Sequence, residues 1–279
     1  MTQALQCGRF ELTFERPLLM GILNITPDSF SDGALHFATD EAIARARQMV
    51  AEGADIIDIG AESTRPGALP VEADEELARL LPVIEALRPL EVPLSVDTFK
   101  PQVMRHVIDA GVDMINDIYG FRWPGAIEAV AASQCGLCVM HMQGEPRTMQ
   151  QAPAYTDVVT EVRDFLKDRV KALQAGGVSP GRILLDPGFG FGKTARHNYE
   201  LLRELGRLQF DDYPWLVALS RKSMIGHVTG RAAPERQGGS IAGALAGIAR
   251  GAAMVRVHDV ALTSDAIKVW QATQNGIEE

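Results

Sequence analysis

Cysteine is scarce in this chain, with three among 279 residues, so a disulfide framework is excluded as the basis of its stability. Cys135 and Cys138 have the C-x-x-C spacing of a redox pair, and no second pair exists to complete a zinc site. Cys138 lies within the apolar run Leu137-Cys138-Val139-Met140, which favours a buried, structural thiol over a reactive one. Basic residues are also in deficit: the formal net charge of −9 leaves no broad positive field for a nucleic-acid backbone, although a local cationic pocket for a small anion remains open. Met1 to Pro17 contains no apolar core of signal-peptide length, and no later stretch approaches a membrane span. The expectation is a cytoplasmic protein with neither nucleic acid nor membrane as partner.

Two nucleotide-binding patterns are missing by small margins. Asp186-Pro187-Gly188-Phe189-Gly190-Phe191-Gly192-Lys193-Thr194 resembles a phosphate loop, but Pro187 occupies the position of that loop's first glycine. Its G-x-G-x-G spacing also differs from the dinucleotide pattern G-x-G-x-x-G. A buried strand ending in a carboxylate remains, followed by glycines that can approach a flat ligand closely. Strand one ends in Leu23-Asn24 without an H-x-H pair, which argues against a metal-dependent hydrolase.

What is present is regular. Residues 5–16 alternate as a short hairpin with Cys7-Gly8 near its turn. Eight apolar runs follow: Leu18–Leu23, Asp55–Ile59, Pro93–Val96, Met114–Ile115, Leu137–Met140, Arg182–Leu185, Trp215–Leu219 and Ala253–Val257. Helical periodicity fills the intervals, as at Leu77, Leu80, Leu81 and Ile84. Thr39-Asp40-Glu41 and Lys100-Pro101 read as helix starts, and Gly53, Gly111 and Gly176-Gly177 as helix ends. The pattern predicts a single α/β domain over residues 1–279: a (β/α)8 TIM barrel with residues 1–17 as an N-terminal hairpin extension. An open doubly wound sheet fits less well because its strand-one glycine fingerprint is absent. The segments Ile25–Ala38 and Ala61–Val71 are long polar loops of the kind that carry function.

In such a barrel, catalytic residues stand at the C-terminal ends of the strands. Those ends are Asn24, Glu62-Ser63-Thr64-Arg65, Asp97-Thr98, Asn116-Asp117, His141, Asp186, Ser220-Arg221-Lys222-Ser223 and Arg256-Val257-His258-Asp259. Asp97, Asn116 and Asp186 suit the donor–acceptor edge of a flat heterocycle. A helix-capping role is the alternative for Asn116-Asp117. Lys222, Arg256 and His258, with Arg65 and Asn24, suit a phosphate or diphosphate, and salt bridges are the alternative for Arg65 and Arg221.

These residues resemble the dihydropteroate synthases. Gly21-Ile-Leu-Asn24-Ile-Thr-Pro-Asp-Ser-Phe30-Ser-Asp-Gly33 and Ile59-Gly-Ala-Glu-Ser-Thr64-Arg65-Pro66-Gly67 are similar to two family signatures, and the shorter strand-end motifs follow in the family's order over residues 18–272. The chain has Ala34 and Ala61 where the family often has a second glycine. The resemblance implies condensation of (7,8-dihydropterin-6-yl)methyl diphosphate with 4-aminobenzoate to give 7,8-dihydropteroate and diphosphate, with Mg2+ as cofactor, in a homodimer inhibited by sulfonamides.

By position, the resemblance assigns Asp97, Asn116 and Asp186 to the pterin ring and places Met140 and Arg256 on its faces. Lys222 lies between the two substrates. Asn24, Arg65, Arg256 and His258 handle the diphosphate, Asn24 through Mg2+. Phe30, Thr64, Pro66, Gly190, Phe191 and Ser223 surround 4-aminobenzoate. Lys222, Asp186, Arg256 and His258 are the catalytic candidates. A methyltetrahydrofolate-dependent methyltransferase-like barrel would not need the diphosphate group of residues, and a non-catalytic pterin-binding paralogue would not need to keep them.

Overall fold

The structure, a computed structural model, describes residues 4–25, 35–63 and 70–277, with only the backbone of 35–38. Strands β3 (Leu18–Asn24), β4 (Ile56–Gly60), β5 (Leu94–Asp97), β6 (Met114–Asp117), β7 (Gly136–Met140), β8 (Ile183–Asp186), β9 (Leu216–Val217) and β10 (Met254–Val257) form one parallel sheet. Each pairs with its neighbour in sequence, and β10 returns to pair with β3. A parallel bridge between Leu185 and Trp215, with the Leu185 N–H donating to the Pro214 carbonyl at 2.9 Å, closes the ring between β8 and β9. The predicted eight-stranded barrel is therefore the observed one.

Its helices are α1 (Leu35–Ala51), α2 (Ala73–Leu87), α3 (Pro101–Asp109), α4 (Ala126–Val130), α5 (Val158–Ala175), α6 (Ala195–Arg203), α7 (Leu205–Leu208), α8 (Ser223–Thr229), α9 (Gln237–Ile248) and α10 (Val260–Asn275). None of the described helices is long and apolar enough to cross a membrane. Gly53, Gly111 and Gly177 adopt positive φ just beyond helix ends, and Pro101 opens α3, as expected. Thr39-Asp40-Glu41 does not start a helix: these residues lie inside α1, which is described from Leu35. The strand expected over Trp215–Leu219 shortens to two residues, since the chain leaves the ladder toward a turn in which Arg221 has φ 57°.

Strand alternation divides the barrel interior into tiers. The lower tier is apolar: Leu18, Met20, Ile56, Met114, Cys138, Leu184, Leu216 and Met254 form one buried cluster. Leu5 and Cys7 join it from the hairpin β1 (Ala4–Cys7) and β2 (Phe10–Thr13), so the hairpin plugs the N-terminal end of the barrel. Arg9 fastens it there through a bidentate pair with Asp113, at 3.0 and 2.9 Å. Gly8 (φ 58°) is required at the turn, because a Cβ there would lie 2.5 Å from the Asp113 carboxylate. Cys7, Cys135 and Cys138 are all buried and free, and burial pushes their thiols up.

Candidate active site

Two residues above the apolar tier, the even-numbered strands turn polar. Asp58 of β4, Asn116 of β6, Asp186 of β8 and Arg256 of β10 follow Ile56, Met114, Leu184 and Met254 at period two. Asp97 of β5, adjacent to Asn116 in register, adds a third carboxylate. Arg256 Nε donates to Asp58 Oδ2 at 2.6 Å, and Nη2 to Asp97 Oδ2 at 3.2 Å. Lys222 enters from the turn after β9, where its Nζ donates to the Phe189 carbonyl at 2.5 Å and stands 4.8 Å from the centre of the Phe191 ring. Charges this sheltered depend on one another.

The electrostatics follow from burial. Asp97 is pushed up to about 7, by desolvation first, with Arg256 opposing and Asp58, Asp117 and Glu76 adding to the rise. Lys222 is pulled down to about 8 by desolvation, with Asp186 opposing. Asp186 is raised by burial against the pull of Lys222 and of the Gly188 N–H, which donates to its Oδ1 at 2.7 Å. Burial would lower Arg256, but Asp58 and Asp97 outweigh it and hold the guanidinium firmly charged. The site thus sets two cations, Lys222 and Arg256, among three carboxylates, and burial favours the neutral form of Asp97.

One wall is apolar. Met140 packs in a buried cluster with Ile118, Tyr119, Met142 and Met149, flanked by Phe99 and Phe191. Methionine and ring faces of this kind suit a flat heterocycle. The rim carries His258, whose Nδ1 lies 3.0 Å from Ser220 Oγ, and the half-buried Asn24, at the end of β3 opposite Gly60. Ser223 is exposed at the start of α8, immediately after Lys222. Arg221 pairs with Asp259, at 3.0 and 2.5 Å, so the salt-bridge alternative is the observed one. Phe30, Thr64, Arg65 and Pro66 lie outside the described residues.

Two expectations change. Asn116 and Asp117 divide their roles: Asn116 enters the polar tier, while the fully buried Asp117 accepts the Tyr119 and Phe121 N–H groups at 2.8 and 2.7 Å and shapes a turn. The glycines after Asp186 serve the protein's own backbone more than a ligand. A Cβ on Gly188 (φ 69°) would lie 1.8 Å from the His141 carbonyl, and one on Gly192 (φ 61°) 2.3 Å from that of Gln143. Gly190 (φ 82°) does face the site, 3.1 Å from Lys222 Cδ by the same measure.

Three further groups acquire a role only in the fold. Asp58 sits inside an apolar strand, where only the phase of Ile56, Asp58 and Gly60 marks it as facing inward. Lys193, given no role, is buried, with Nζ donating to the Gly188 and Phe191 carbonyls at 2.8 and 3.0 Å and lying 2.8 Å from His141 Nδ1. Burial pulls its ammonium well down, yet three acceptors match its three N–H donors, with His141 the neutral partner. Glu62, seen only as a strand-end acid, accepts from the Val71 N–H at 3.3 Å and from Lys100, which also pairs with Glu76. It thereby ties together both ends of the second long loop.

A closed eight-stranded barrel with a buried donor–acceptor set and paired cations at its C-terminal face defines a barrel enzyme for a polar, flat, anionic substrate. Residues 20–258 match the family described as pterin binding enzyme. A dihydropteroate synthase of Neisseria meningitidis serogroup B (strain ATCC BAA-335 / MC58) is 50% identical over 274 residues, covering 96% of each chain. Burkholderia cenocepacia dihydropteroate synthase, in complex with 7,8-dihydropteroate, superposes with a TM-score of 0.91 at 58% identity, over 98% of this chain and 97% of that one. The Yersinia pestis dihydropteroate synthase, in a sulfonamide drug complex, gives a TM-score of 0.93 at 45% identity, over 98% and 100%. The chain belongs to the pterin-binding enzymes and, among them, to the dihydropteroate synthases.

Proposed function

We propose that the protein condenses (7,8-dihydropterin-6-yl)methyl diphosphate with 4-aminobenzoate, releasing 7,8-dihydropteroate and diphosphate, and that sulfonamides compete at the aminobenzoate site. The observation that carries this reading is the polar tier of Asp97, Asn116, Asp186 and Arg256 with Lys222 above it, in a chain 58% identical to a synthase seen with 7,8-dihydropteroate. The carboxylates and the amide oxygen accept N–H groups from the pterin edge, Lys222 donates to its acceptors, and Met140 and Arg256 cover its faces. Gly190, Phe191 and Ser223 border the aminobenzoate, with Phe30, Thr64 and Pro66 completing that side.

The chemistry follows from charge. Breaking the carbon–oxygen bond to diphosphate leaves positive charge on the pterin methylene and negative charge on the leaving group. Asp186 stabilises the first, and Arg256 and His258, with Arg65, the second. The aniline nitrogen of 4-aminobenzoate is neutral at pH 7 and attacks as diphosphate departs; the ammonium so formed is strongly acidic and gives its proton to water or the departing diphosphate, so no strong general base is required. Residues 26–34 and 64–69 of the two long loops lie outside the described residues.

Mg2+ belongs to the same proposal. No group of three or more His, Cys, Asp or Glu side chains among the described residues could hold a metal. Asn24, half-buried at the end of β3 opposite Gly60, would hold the ion through its amide oxygen. When bound, the ion neutralises charge on the diphosphate. A cytoplasmic homodimer completes the reading. Purified protein supplied with the pterin diphosphate, 4-aminobenzoate and Mg2+ should yield dihydropteroate and diphosphate in equal amounts. Diphosphate release without dihydropteroate would contradict the reading.

A further inference from the structure

The polar tier has a corner that the proposed reaction does not use. Asp58 is fully buried in the middle of β4 and surrounded by donors. Its Oδ1 accepts from Ser95 Oγ at 2.5 Å, and its Oδ2 from Arg256 Nε at 2.6 Å and Asn116 Nδ2 at 3.1 Å. An arginine cannot give up its proton here, and an ionised carboxylate only accepts. Asp58 is therefore a fixed acceptor, and that decides how its neighbours stand.

The two ends of an asparagine amide have nearly the same shape and opposite polarity. With Asp58 beneath it, Asn116 must turn its NH2 downward. Its Oδ1 takes no donor among the described residues and is left for the cavity. Arg256 is fixed in the same way: Nε belongs to Asp58 and Nη2 to Asp97, which sets the plane of the guanidinium across the tier. Without Asp58, Asn116 could present either end and Arg256 would keep a single partner.

We infer that Asp58 is a positioning residue for the pterin substrate, locking Asn116 as a hydrogen-bond acceptor and Arg256 in one plane so that the ring edge meeting Asn116 must carry an N–H. The inference rests on the pterin reading above, and wild-type turnover measured alongside the variants tests that reading separately. Asp58 touches neither substrate on this account, so its loss acts on the pterin alone.

The test compares Asp58→Ala and Asp58→Asn with wild type. For Asp58→Ala, the KM for the pterin diphosphate should rise about tenfold or more, the loss expected when a buried hydrogen-bonded charge is removed. The KM for 4-aminobenzoate, measured at saturating pterin diphosphate, should stay within about twofold, because no contact to that substrate is altered. Asp58→Asn can keep one oxygen toward Arg256 and Asn116, and should recover most of the pterin affinity. It should also move the acid limb of kcat/KM downward. Asp97 is faced by Arg256, Asp58, Asp117 and Glu76, with Lys222 and Asp186 nearby, and the substitution removes one of the negative charges that hold its carboxyl up. An unchanged pterin KM in a folded Asp58→Ala protein, or an equal rise in both KM values, would overturn the inference. If Asp58→Ala does not fold, an Asp58→Asn protein with weakened pterin affinity and an unmoved acid limb would do so.

Discussion

Asp97 is pushed up and Lys222 pulled down for the same reason: each is withdrawn from water beside charges that only partly compensate. A pterin edge rich in N–H groups needs Asp97 ionised, and a ring carbonyl or nitrogen needs Lys222 protonated. The free enzyme's kcat/KM should thus be bell-shaped, rising through about 7 and falling through about 8. Asp97→Asn should abolish the acid limb, a result that steady-state assays across pH 5.5–9.5 (about four units, wide enough to include both limbs) would show. The stability signs are opposite for the two groups. Because Asp97 is raised in the fold, its contribution is complete below the ordinary aspartate range and is lost as pH rises through about 7. Because Lys222 is lowered, its contribution is complete above the ordinary lysine range and is lost as pH falls through about 8. Both therefore weigh against stability near neutrality, where the site operates. Asp186→Ala and Lys222→Ala should each lower kcat by roughly 10² to 10³ while circular dichroism stays native, the loss typical of removing one electrostatic contact in a water-poor site. Near-wild-type rates in either variant would contradict their roles.

At the scale of elements, the loop after β8 is held from within. Lys193 bonds two of its carbonyls, and one of its residues, Phe189, supplies the carbonyl that receives Lys222. Lys193→Met keeps much of the side chain's bulk but leaves those carbonyls and His141 unpartnered. The substitution should cost on the order of 2–4 kcal/mol in urea denaturation and lower kcat as well, because the Phe189 carbonyl shifts. The hairpin at the opposite end gives the complementary case. Removing the Arg9 guanidinium leaves the buried Asp113 carboxylate without its charge partner, so Arg9→Ala should cost about 1–3 kcal/mol while kcat changes by less than about twofold. A large kcat effect from Arg9→Ala would mean that the two ends of the barrel are coupled. The glycine run illustrates how local rules mislead. Its positive-φ glycines resemble a nucleotide loop, but two of the three fit against the backbone after β7 and only Gly190 borders the site.

For the whole molecule, the barrel could be read from the sequence because each apolar run is closed by a polar residue and followed by helical periodicity. Strand limits shifted by one or two residues because Asn24, Asp97, Asp117 and Asp186 still belong to the ladder although their side chains serve other ends. Asp58 and Lys193 were not legible, since a mid-strand acid and a loop lysine acquire meaning only from partners far along the chain. The small-residue run Gly243–Gly247 packs against the barrel, where Gly243 approaches Leu219 and Gly247 approaches Val217. Beside it, a groove of about 770 Å³ between α6, α8 and α9, mainly apolar and with Val228 exposed, is compatible with the proposed homodimer. Light scattering should then give twice the 30.3 kDa chain mass. A crystal structure of the protein with 7,8-dihydropteroate decides where the pterin sits. The pterin edge should lie within hydrogen-bond distance of Asp97, Asn116 Oδ1 and Asp186, with the aminobenzoate portion toward Gly190 and Ser223. A pterin ring bound away from that tier, or one meeting Asn116 through its nitrogen, would contradict the account.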